Sequence, residues 1–155
     1  WFTNTNKRLT NSPKLYFYDV GLASFLLGIE NGNQLQRDPL IGNLFENMVV
    51  VDALKQKFNQ GKSNNLYFYR ESNGAEVDLL ATAGHKVLPI EIKAGATVNR
   101  DYFKGLKSFG KAFPENVADQ GVVRFNGEER MLRSDYLVYP WGEMGEVYRR
   151  FEEFM

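Results

Sequence analysis

The chain opens on a polar, Asn-rich stretch that runs into the aromatic segment Lys14-Leu15-Tyr16-Phe17-Tyr18, a pattern that fits either a strand or a tethered arm. Asp19 then stands where an N-cap belongs, with a carboxylate able to accept from first-turn amides, and predicts a short helix to about Leu27 closed by Gly28. Asp38-Pro39 predicts a second helix start, an N-cap acid followed by a Pro whose missing N–H costs nothing there. Leu40, Leu44, Met48 and Val51, with Phe45 and Val49, keep helical spacing to about Asn59, and Gln60-Gly61 ends the run. Three strand patterns follow, over residues 66–71, 75–82 and 86–93, separated by Ser72-Asn73-Gly74 and by Gly84-His85, both hairpin-turn sequences. Tyr102, Phe103, Leu106, Phe109 and Phe113 define another amphipathic helix from Asn99 to Phe113, stopped by Pro114. Residues 121–125 read as a buried strand, 136–139 as a further strand, and 143–154 as a C-terminal helix with Met144, Val147, Tyr148 and Phe151 on one face. The tetrapeptide Leu-Tyr-Phe-Tyr occurs at 15–18 and 66–69, but no flanking similarity makes it a repeat.

Composition narrows the function classes. At 155 residues, 43% hydrophobic and 25% charged, the chain is one domain's worth of ordered globular sequence. Nineteen Lys plus Arg balance nineteen Asp plus Glu, so polyanion binding needs a local patch rather than a bulk field. The absence of Cys excludes disulfides and thiolate metal sites, a single His85 cannot build a His-rich zinc site, and a cytoplasmic location is the simplest expectation. The most apolar run, 20–29, is half the ~20 residues of a membrane span, so no membrane partner is expected. A start at Trp1 rather than Met reads as a piece of something longer.

The candidate chemistry lies in the second hairpin. With a two-residue Gly84-His85 loop, Ala83 pairs with Lys86, which sets Asp78 opposite Glu91 and Glu76 opposite Lys93. Side-chain alternation then puts these four on one face and Val77, Leu79, Ile90 and Ile92 on the other. Carboxylates facing each other across a strand pair repel, and a divalent cation held by oxygen ligands offsets that repulsion. Glu46 stands among Gly42, Val49 and Val50 on a largely apolar helix face, where a carboxylate needs a partner or a metal. Glu46 also reads as an ordinary solvated Glu, and Glu76 as a cross-strand ion pair with Lys93.

Glu46 on a helix, Asp78 in Glu76-Val77-Asp78-Leu79-Leu80, and the next strand's Ile90-Glu91-Ile92-Lys93 resemble the PD-(D/E)XK nuclease superfamily. Val77 stands where its most familiar motif has Pro. More narrowly, the run Lys14–Leu22 followed by Tyr69-Arg70, Glu76-Val77-Asp78 and Ile90–Lys93 resembles the domain of unknown function that follows AAA-type ATPase modules in many bacterial and archaeal proteins. The resemblance implies a restriction-endonuclease-like α/β fold, an α-β-β-β-α-β core with a mixed sheet flanked by helices, over residues 38–126. Residues 1–37 would form an arm and short helix leading from an upstream ATPase module, and 127–155 a strand–helix extension. It implies Mg²⁺ or Mn²⁺ held by Glu46, Asp78, Glu91 and the Ile92 carbonyl, Lys93 orienting or activating water, and Glu76 and Arg70 as accessory residues. The metal would lower the pKa of bound water and neutralise charge building on a scissile phosphate.

Arg100, Lys104, Lys107 and Lys111 follow one helical stripe, suited to sequence-independent phosphate contacts and equally to a solvated face. Gly105 to Lys111 spells Gly-x4-Gly-Lys, but Ala112 follows and no strand precedes, which excludes a phosphate-binding loop. The expected function is therefore metal-dependent phosphodiester hydrolysis of nucleic acid, DNA ahead of RNA. The alternative is a catalytically inactive nuclease-fold module for protein docking, oligomerisation or regulation of the ATPase, with Trp1, Phe2, Trp141 and Tyr148 as interface anchors.

Overall fold

The computed structural model describes residues 13–71, 74–117, 122–133, 136–143, 145–147 and 149. Asp19 caps α1 (Val20–Leu26) by accepting from the Leu22 amide at 3.0 Å, and Gly28, at φ 74°, ends the turn beyond it. A four-residue helix, α2 (Gly32–Leu35), follows; Asn31 caps it through the Gln34 amide at 3.0 Å. The long helix α3 (Ile41–Asn59) begins two to three residues later than Asp38-Pro39 predicts. Asp38 spends its carboxylate on the Leu40 amide at 2.8 Å and its carbonyl on Ile41, so it builds the turn before the helix rather than its cap.

Then come β1 (Leu66–Arg70), β2 (Glu76–Ala83) and β3 (Lys86–Lys93), the helix α4 (Lys104–Ala112) entered through a 3-10 turn at Arg100–Phe103, and β4 (Val122–Phe125). Two further strands, β5 (Met131–Arg133) and β6 (Tyr136–Pro140), precede a 3-10 turn at Trp141–Glu143; β5 carries no apolar alternation that would predict it. The Lys104 to Ala112 segment being helical, Gly105, Gly110 and Lys111 form no phosphate-binding loop. Of the expected C-terminal helix, 145–147 and 149 are helical; Met144, Tyr148 and Phe151, like Trp1 and Phe2, lie outside the described residues.

The six strands among the described residues form one mixed sheet, in the order β1-β2-β3-β4-β6-β5. Neighbours β1, β2 and β3 run antiparallel, β3–β4 and β4–β6 parallel, and β5–β6 antiparallel. The register of the central hairpin is the predicted one, Ala83 opposite Lys86 and Leu79 opposite Ile90, and Gly84 at φ 56° supplies the turn. Both β2 and β3 are buried over six of eight residues, because α3 covers one face of the sheet and α4 the other. Pro89 stands in this central strand opposite Leu80, between the Val87–Val117 bridge and the Ile90–Val122 pair.

One predicted feature is corrected. Leu79, Ile90 and Ile92 pack with Phe45, Val49 and Val50 of α3, but Val77 packs with Phe103, Leu106 and Phe109 on the α4 side. The cause is a bulge in β2: Tyr67 pairs with Leu80 but Tyr69 with Val77, so Asp78 and Leu79 of β2 stand against Phe68 alone of β1. Strict alternation fails at this point, and Glu76, Asp78, Glu91 and Lys93 do not share one face.

Candidate functional site

The bulge divides the acidic residues among three directions. Glu76 turns toward the α3 side, where Arg70 on β1 grips both its oxygens, Nε to Oε2 at 2.9 Å and Nη2 to Oε1 at 3.0 Å. Glu91, flanked by two residues of the α3-side core, turns toward α4, where its Oε2 comes within 3.0 Å of the place a Cβ on Gly105 would occupy. Asp78 stands between them, and its Oδ2 accepts from the Ile92 amide at 2.9 Å, which locks the carboxylate between the two strands.

Lys93 joins Asp78 to Glu91: its Nζ lies 2.5 Å from Glu91 Oε1 and 3.5 Å from Asp78 Oδ2. On the other side of Asp78 a second ammonium enters, from the segment before α1. Lys14 Nζ lies 2.8 Å from Glu46 Oε1, 2.5 Å from Glu76 Oε1 and 3.7 Å from Asp78 Oδ1. Charges thus alternate along the row Glu46, Lys14, Asp78, Lys93, Glu91, with Glu76 and Arg70 flanking Lys14. The expected cross-strand pair of Glu76 with Lys93 is replaced by the pairs with Arg70 and Lys14. Glu46 is likewise no free surface Glu, since the Tyr16 hydroxyl donates to its Oε1 at 2.8 Å as well.

The aromatic segment that delivers Lys14 is a tethered arm rather than a strand. Asn47, buried on α3, clasps Phe17 by its backbone, accepting from the amide at 2.7 Å and donating to the carbonyl at 2.7 Å. Both hydrogen-bonding groups of one peptide residue are satisfied as a neighbouring strand would satisfy them. Sequence reasoning missed Lys14, Tyr16 and Asn47 as site residues. Their only signal is the aromatic run itself, since pairing 30 or more residues apart leaves no local period.

Burial and charge pull the titrations apart. Burial first, and Asp78 second, push the Glu91 carboxyl up to about 7, against the pull of Lys93. Asp78 is also raised, chiefly by burial. Burial would raise Glu76 too, but hydrogen bonds from Arg70 and Lys14 outweigh it and hold the group below the usual carboxylate range. Burial alone would lower both lysines; their carboxylate partners prevail and raise them, so both stay ammonium ions at neutral pH.

Glu91 is 6% exposed, and its Oε2 is a buried oxygen without a hydrogen-bond partner. Hard oxygen donors with an orphaned member suit a divalent cation such as Mg²⁺ or Mn²⁺. Among the described residues, however, no three acids converge as ready ligands of one ion, and Lys14 and Lys93 pair with the carboxylates instead. Ile92 is buried in the α3-side core and reaches the cluster only through its backbone.

Beside the cluster a cleft of about 570 Å³ is lined by residues of the arm, α1 and α3, among them Glu46, Leu26, Leu27 and Leu40, together with Arg70 and Glu76. The cations expected to dock nucleic acid are exposed: Lys104, Lys107 and Lys111 on α4 opposite the buried Leu106 and Phe109, and Arg100 in the preceding 3-10 turn. Lys104 pairs with Asp101 at 2.8 Å. No helix among the described residues is long and apolar enough to cross a membrane.

Residues 41–144 match the model of a family described as a domain of unknown function, DUF4143. Uncharacterised proteins of Mycobacterium bovis and Mycobacterium tuberculosis are each 32% identical to the chain over 138 residues, 89% of its length. Those residues make up 29% of either relative, so the chain spans less than a third of the curated proteins it matches.

Proposed function

The chain belongs to the DUF4143 family, and on that premise we propose that it is a restriction-endonuclease-like domain that hydrolyses phosphodiester bonds of nucleic acid with a divalent cation. The observation that carries this reading is the buried pair Asp78 and Glu91 bridged by the half-buried Lys93, its Nζ 2.5 Å from Glu91 and 3.5 Å from Asp78, with one Glu91 oxygen left unpartnered. Burying coupled carboxylates costs folding free energy, and groups perturbed in this way concentrate at functional sites. The order α3-β1-β2-β3-α4-β4 supports the fold assignment.

Glu46, Asp78, Glu91 and the Ile92 carbonyl would hold Mg²⁺ or Mn²⁺. The ion would supply a Lewis acid for the charge that develops on a scissile phosphate. Lys93, held protonated by its two carboxylates, acts as a fixed donor that orients rather than as a proton acceptor. Arg70 fixes Glu76 through two parallel hydrogen bonds, and the α4 cations, with Arg100, would take the flanking phosphates. DNA is the favoured substrate over RNA and the cytoplasm the proposed location; an AAA-type ATPase module elsewhere in the full-length polypeptide, and self-association, are the proposed partners.

The test is cleavage of labelled duplex DNA, single-stranded DNA and RNA by the full-length protein with Mg²⁺ or Mn²⁺. Glu91→Ala and Lys93→Ala each abolish metal-dependent cleavage; parental cleavage by either variant contradicts the assignment.

A second reading, an inactive docking or regulatory module, is favoured by one observation: Phe25 and Leu26 of α1 are 74% and 64% exposed, with Trp141 half exposed elsewhere. Capture of a protein partner at parental strength after substitution of Glu46, Asp78, Glu91 and Lys93, with no cleavage by the parent, would favour it.

A further inference from the structure

Lys14 sits where the carboxylate cluster has most need of positive charge. Three carboxylates from two elements surround one ammonium group: Glu46 Oε1 at 2.8 Å, Glu76 Oε1 at 2.5 Å and Asp78 Oδ1 at 3.7 Å. An ammonium is a compact point charge with three donors, the nearest thing a polypeptide has to a small inorganic cation. A divalent ion needs carboxylate oxygens at about 2.0–2.6 Å from its own centre. An ion reaching both Glu46 and Asp78 must therefore take the space in which Nζ lies, and two cations do not share it.

The arm is built so that this side chain can leave. Its backbone is held to α3 by Asn47 at Phe17, three residues beyond Lys14, and that clasp does not depend on the lysine. Leu15 beside it is 92% exposed and packs on nothing that would block a swing. Lys93, in contrast, stands on a strand, at the end of β3, and its backbone is fixed by pairing with Phe125.

We propose that Lys14 is an internal counter-ion that holds the cation position of the cluster, so that entry of a divalent metal expels the Lys14 ammonium from between Glu46, Glu76 and Asp78. The proposal rests on the reading of the cluster as a metal centre. It makes the arm before α1 a gate: whatever holds Lys14 in place keeps the centre closed, and whatever draws the arm aside opens it.

The test compares Mn²⁺ titration by calorimetry of the chain and of its Lys14→Met variant, and follows acetylation of Lys14 by acetic anhydride, read by mass spectrometry, with and without Mn²⁺. Removal of the competing charge tightens Mn²⁺ binding by about tenfold or more, and in the parent chain saturating Mn²⁺ speeds Lys14 acetylation by a similar factor. Equal or weaker Mn²⁺ binding by a folded Lys14→Met, or acetylation of the parent unchanged by bound Mn²⁺, overturns the gate while leaving the metal centre standing. Binding of Mn²⁺ by the variant alone supports the gate in its strongest form. Failure of both proteins to bind removes the metal centre and the gate together. The acetylation arm decides the question even where Lys14→Met does not fold.

Discussion

A Cβ on Gly105 would lie 1.9 Å from the carbonyl oxygen of Glu76, so α4 rests directly on the backbone of β2 at the residue where the site begins. The same missing Cβ leaves room for Glu91 Oε2, which the added atom would meet at 3.0 Å. Close approach of helix to strand, rather than a phosphate loop, is what Gly105 is for.

Gly105→Ala must therefore push α4 off the sheet, and a loss of about 3 kcal/mol is expected, the upper end of overpacking. Gly110, five residues on, has open space where its Cβ would go, so Gly110→Ala should gain about 0.5–1 kcal/mol from helix propensity alone. Urea denaturation of the two variants checks the contrast; equal midpoints would contradict it.

Stability should fall as pH rises through neutrality. Glu91 titrates near 7 in the folded chain and in the ordinary carboxylate range when unfolded, so between these values the folded chain binds the extra proton and loses stability as it is removed. Asp78 acts in the same direction. Glu76, held low by Arg70 and Lys14, acts oppositely and is felt only at acid pH. Denaturation at pH 8 should find Glu91→Gln about 1–2 kcal/mol more stable than the parent, with the difference closing toward pH 5.

The Asn47 clasp predicts that Asn47→Ala costs about 2 kcal/mol, the loss of two hydrogen bonds at a buried position. Amide exchange at Phe17 should accelerate with it. Asn47→Asp keeps the acceptor for the Phe17 amide but loses the donor to its carbonyl, and should fall between the two.

Exposed Lys104, Lys107 and Lys111 predict salt-dependent binding to duplex DNA. Replacing all three with Ala should reduce the slope of log affinity against log salt by roughly 2–3, near 0.9 for each lost phosphate contact. Anisotropy titrations between 50 and 200 mM salt, values at which such slopes are commonly read, provide the measurement; an unchanged slope would exclude α4 as the docking helix.

Much of this architecture is legible along the chain because the signals are local. Gly84-His85 sets the hairpin register, Asp19 and Gly28 bound α1, and the apolar run from Ile41 to Asn59 declares α3. Glu46, Asp78, Glu91 and Lys93 can be picked out because charged residues interrupt otherwise apolar elements. Helix α2 and strand β5 are too short to carry a period, and the start of α3 depended on how Asp38 divides its hydrogen bonds.

What the sequence alone determined is the longer elements, the hairpin register and the identity of four charged residues, Glu46, Asp78, Glu91 and Lys93, set in or beside the core, all consequences of spacing within one segment. Only the tertiary structure decided which way those residues point and who neutralises them. A single extra residue in β2 turns Val77 and Leu79 to opposite faces, and it is set by pairing with β1 rather than by anything in β2 itself. Lys14 meets Glu46 from 32 residues away, and a charge brought in over that distance leaves no trace in the pattern of either segment.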